Sequence, residues 1–105
     1  MNGVIHAHGL AIPDMPVLDA REYPDKEALL EAIGNALGFP GYYGANWDAL
    51  EECLTDLSWH EGPLHLALRH AESLAEDLRD TLLDIFQEAA RHWAASNKEI
   101  ALYLL

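Results

Sequence analysis

The sequence has a single cysteine, Cys53, among 105 residues, so no internal disulfide can form. Without such staples the chain depends on its apolar core, and 50% of its residues are hydrophobic. Sparse cysteine also fits a reducing, intracellular setting. Basic residues are scarce as well: 6 lysines and arginines stand against 18 acids, for a formal net charge of −12. A field of that sign disfavours nucleic acid and anionic membrane surfaces as partners and attracts a basic protein. It also confers solubility, so charge alone does not separate a docking surface from a solvated one. No apolar run reaches the ~20 residues of a membrane span. The opening stretch "MNGVIHAHGLAIPDMP" has no basic residue before its apolar patch and no signal-peptide core, so a cytoplasmic location is expected. The histidines, among them His6, His8, His60, His65 and His70, fit no compact ligand motif such as H-E-x-x-H. Neither a metal site nor a cofactor is expected.

What is present reads as one domain. Residues 1–14, with Gly3, Gly9 and Pro13, form an N-terminal extension, either a strand or a loose arm, ahead of a domain over 15–105. "MPVLDA" at 15–20 reads as a strand. In "YPDKEALLEAIGNALGFP" the spacing of Leu29, Leu30, Ile33 and Leu37 predicts a helix, with Asp25 as its N-cap and Gly38 and Pro40 as its stop. A second helix begins at Asn46, whose side chain suits an N-cap. "GPLHLALRH" at 62–70 alternates leucines as a strand does. A long helix follows from about Ser73 to Ala95, with Leu74, Leu78, Leu82, Ile85, Phe86, Ala89 and Trp93 inward, and "EIALYLL" closes as a strand. The order β, α, α, β, α, β predicts a parallel sheet covered by helices.

The second helix carries the chemistry. At about 100° per residue, Trp47, Leu50, Cys53, Leu54 and Leu57 share one side, while Asp48, Glu51, Glu52, Thr55 and Asp56 fill the other. Cys53 on the apolar side reads as a small core residue rather than a nucleophile, and Trp47 and Trp93 read as core. Glu51, Glu52 and Asp56 crowd like charges, which costs stability when no partner is present. Such a face is either a solvated surface or a binding surface. Asp48 and Glu52 as a general acid/base pair would need an enclosing pocket, which an exposed helix face does not offer, so no enzyme is expected. Before the helix, Gly44 relieves a backbone constraint and lets a partner approach closely. Of the adjoining tyrosines, Tyr42 is expected to face outward and Tyr43 inward. Glu88 is either a binding acid or a solvated one.

The run "LGFPGYYGANWDALEECLTDL", with "GPLHLAL" and "IFQEA" downstream, resembles the signature of the barstar family of ribonuclease inhibitors over residues 16 to 105. The resemblance implies a two-layer α/β fold with a three-stranded parallel sheet packed against helices. It implies an intracellular inhibitor, an antitoxin or immunity protein, that binds a basic, barnase-like extracellular ribonuclease one-to-one. In that mechanism a helix and its preceding loop enter the nuclease active site and their acids stand in for substrate phosphates. Tyr42, Gly44, Asn46, Asp48, Glu52, Thr55 and Glu88 would form the surface. The best-known members have an aromatic residue, a glycine and another aromatic residue where this chain has Glu51, Asp56 and Leu57, so Glu51 and Asp56 add charge to the same surface. The alternative is a barstar-like acidic interaction or regulatory module whose target is not a ribonuclease.

Overall fold

A computed structural model describes residues 3–7, 15–41, 44–56, 62–96 and 98–105. Its strands are β1 (Gly3–His6), β2 (Val17–Asp19), β3 (Leu64–Arg69) and β4 (Ile100–Leu104), and its helices are α1 (Lys26–Leu37), α2 (Trp47–Asp56) and α3 (Glu76–Trp93). The strands form one parallel sheet in the order β1-β4-β3-β2. The parallel α/β arrangement is as the sequence predicts, but the sheet has four strands, not three.

The additional strand comes from the N-terminal segment, of which residues 3–6 take the strand form. β1 is tied down on two sides. The Ala7 N–H donates to the Leu104 carbonyl at 2.8 Å, and the Val4 N–H donates to Gln87 Oε1 of α3 at 3.1 Å. Gly3 suits this junction, where any other residue would be strained. Its φ is +87°, and a Cβ there would lie 2.7 Å from Gln87 Oε1.

Alternation along the central strands puts their long aliphatic side chains on one face. Leu64, Leu66 and Leu68 of β3 and Ile100, Leu102 and Leu104 of β4 join the hydrophobic core. At alternate positions stand His65 and Ala67, Ala101 and Tyr103, and the rings of His65 and Tyr103 meet edge to face at 5.7 Å. α1 packs against β2 and β3, and α3 against β1 and β4. α2 rests mainly on α3 and, less, on α1. It therefore buries one side and leaves the other to solvent.

Local signals fix the helix ends. Asp25 Oδ1 accepts the Ala28 N–H at 3.0 Å and starts α1, and Gly38 at φ 71° ends it. α3 begins three residues later than the sequence predicts. His70 is left-handed at φ 57°, and Ala71–Ser73 form a separate 3-10 turn before Glu76. Leu74 is buried all the same, outside the helix.

Candidate functional site

The site is built from α2 outward. Asn46 Oδ1 accepts the Ala49 N–H at 2.8 Å, which satisfies one of the donors left free at the helix start. Of the two residues just before Asn46, the left-handed one is Ala45, at φ 51°, and not Gly44. Gly44 serves a different need, because a Cβ there would sit 3.2 Å from Asn46 Nδ2 and crowd the capping side chain. Gly44 is exposed and lines a hollow with Phe39, Pro40 and Gly41. Tyr42, Tyr43 and Leu57 lie outside the described residues.

Leu50 and Leu54 are 0% exposed and Cys53 1%, and half-buried Trp47 packs against the core. Burial pushes the Cys53 thiol above its ordinary pKa, and the charges of Glu52 and Asp56 push it the same way. The thiol therefore stays protonated at neutral pH, which suits a core residue and not a nucleophile.

On the outer side Asp48, Glu51, Glu52 and Asp56 are all exposed. Thr55 is half-buried and its hydroxyl donates to the Glu51 carbonyl at 2.8 Å, within the helix. Asp48 sits in the first turn, where the helix dipole favours it, but no base stands in the last turn to offset Asp56. α3 supplies the missing donor at that end. The Trp93 indole N–H donates to the Leu54 carbonyl at 2.8 Å. Trp93 is thus half-buried core, as expected, and also a cap for α2 that its sequence position does not announce.

Where α2 meets α3, Glu51, Thr55, Glu88, Ala89, Arg91 and His92 line a groove. The structure brings Glu88 beside Glu51 and Thr55, while Asp48, Glu52 and Asp56 do not line this groove. Glu88 is exposed and forms an ion pair with Arg91, and His92 stands edge to face against Trp93 at 4.9 Å. No sequence motif singles out Arg91 or His92. The i, i+3 spacing of Glu88 and Arg91 was visible, but that they share a groove with α2 is a tertiary fact. Among the described residues, no group of three or more His, Cys, Asp or Glu is placed to hold a metal ion. No helix among them is long and apolar enough to cross a membrane.

A parallel α/β sheet carrying an exposed acidic helix, docked on the last helix of the fold, is the class these features define. The family model described as "Barstar (barnase inhibitor)" matches residues 15–105, and the chain belongs to the barstar family. A relative, "Putative ribonuclease inhibitor YrdF" of Bacillus subtilis (strain 168), is 37% identical over 76 residues, spanning 70% of this chain and 81% of that protein. β1 precedes the matched residues, so the fourth strand is an addition to the part that defines the family.

Proposed function

We propose that this protein inhibits a basic, barnase-like extracellular ribonuclease, binding it one-to-one inside the producing cell and covering its active site with α2 and the loop before it. It acts as an immunity protein and carries out no reaction of its own. Family membership supports the class of target. The single observation that carries the mechanism is the exposed pair Asp48 and Glu52, neither of which has an ion-pair partner among the described residues. Spaced i, i+4, they project from one face about one turn apart. A ribonuclease active site concentrates cationic side chains to hold a polyanion. Two carboxylates at that spacing offer it fixed acceptors, including bidentate ones for arginine.

Following RNA cleavage by a candidate nuclease while this protein is titrated in gives the direct test. Cleavage should stop near one equivalent, and undiminished cleavage at stoichiometric excess overturns the pairing. Within that assay, Asp48→Ala and Glu52→Ala should each weaken binding at least tenfold, by the loss of a charge-assisted contact of about 1.5–3 kcal/mol. Glu72→Ala, an exposed acid outside the site, should change it little. Added salt should slow association.

A second reading, an acidic interaction module with another target, is favoured by the added charges at Glu51 and Asp56 and by Arg91 in the groove. Capture of partners from the native cell separates the two, since a secreted nuclease supports the first and a housekeeping protein the second.

A further inference from the structure

The groove between α2 and α3 has a feature that a uniformly acidic docking surface would lack. Its acids, Glu51 and Glu88, come from different helices, and Arg91 is the permanent cation among its lining residues. In the free protein the Arg91 guanidinium reaches back along α3 and pairs with Glu88. Both side chains are about two-thirds exposed, at 66% and 64%, so the pair is screened by solvent and intrinsically weak. Glu51 has no such counter-ion among the described residues. The groove is thus half neutralised from within.

We propose that Arg91 is the specificity-determining residue of this groove: an internal counter-ion that occupies Glu88 until an arginine or lysine side chain of the partner displaces it. The inference rests on reading the α2–α3 surface as the docking site for a basic protein. Displacement is an exchange of ion pairs. An incoming guanidinium entering between the two helices offers N–H donors to both Glu51 and Glu88, whereas Arg91 satisfies Glu88 alone. Shielding by the partner strengthens the attraction, and the second carboxylate helps to offset the cost of desolvating the incoming cation. A partner that places no cation in the groove gains nothing from Glu88 and meets Arg91 as a like charge against its own basic surface. Arg91 therefore favours partners with a long basic side chain at this point over those with only diffuse positive charge.

Titration of a hexa-arginine amide peptide at low salt tests this without any nuclease. Arg91→Ala is compared with Arg79→Ala, which removes the same charge from the same helix about 18 Å away along its axis, and each is repeated with Glu88→Gln. Arg91→Ala should bind the peptide about two- to fivefold more tightly than Arg79→Ala, the worth of one exposed pair. That advantage should vanish in the Glu88→Gln background. Equal affinities for the two arginine variants overturn the proposal, as does an advantage that survives Glu88→Gln, or peptide binding that none of the proteins shows. Because the peptide assay and the RNA-cleavage assay have only this protein in common, either can fail while the other stands.

Discussion

Asn46 stands at the boundary between holding the site and being the site. The family resemblance places it on the binding surface, yet its Oδ1 is already engaged with the Ala49 N–H at 2.8 Å. Asn46→Ala should therefore cost about 1 kcal/mol of folding stability, while Asn46→Asp keeps an acceptor and adds a favourable charge at the helix start. Urea denaturation of the three proteins checks this, and an alanine variant as stable as the parent would mean that α2 starts without its cap. Caps of this kind are legible in sequence because they depend on residues a few positions apart. Asp25 and Gly38 at the ends of α1 were readable for the same reason. The left-handed residue was not. Gly44 is the obvious candidate by composition, but the left-handed conformation falls on Ala45, one position later, and at Gly44 a side chain would instead crowd Asn46.

Among the elements, α2 is the one that tertiary structure must supply. It is short, it lies mainly on other helices, and its last turn sets Asp56 against the helix dipole. The indole of Trp93 counters this by binding the Leu54 carbonyl. Trp93→Phe keeps an aromatic ring in place and deletes the donor. Amide hydrogen exchange in the last turn of α2 should then speed up by about two- to twelvefold, the worth of one hydrogen bond. Exchange in α1 should stay unchanged. Equal acceleration in both helices would point to general loosening and would remove Trp93 from the positioning of α2. The amphipathic division of α2 is legible for Leu50, Cys53 and Leu54, which recur at helical spacing and are all buried, whereas Thr55 is half-buried and Leu57 lies outside the described residues. What covers that face was not legible, because the contact joins residues 39 positions apart. The late start of α3 escaped for a local reason: a left-handed histidine carries no sequence signal comparable to glycine.

For the whole molecule, the decisive question is whether the N-terminal segment belongs to the folding unit. As a sequence, "GVIH" is too short to distinguish a strand from a loose arm, and it lies outside the residues that define the family. In the fold it covers the edge of β4, and Gln87 binds it to α3 one residue before Glu88. We propose that residues 3–7, within the extension ahead of the family domain, fold cooperatively with it. Deleting them exposes the backbone of β4 as a free parallel edge and leaves Gln87 without its bond to Val4. The truncated protein should lose on the order of 2–3 kcal/mol from the lost edge bonds, seen as a lower urea midpoint. It should also self-associate more as concentration rises. Gly3→Ala puts the same question without truncation, since a Cβ at φ +87° and 2.7 Å from Gln87 Oε1 must displace one or the other. Binding through α2 should survive both changes at temperatures where the variants remain folded, because β1 packs on β4 and α3. An unchanged urea midpoint in both variants would make β1 an appendage. A loss of binding without a loss of stability would instead place β1 in the site, acting through α3 on Glu88.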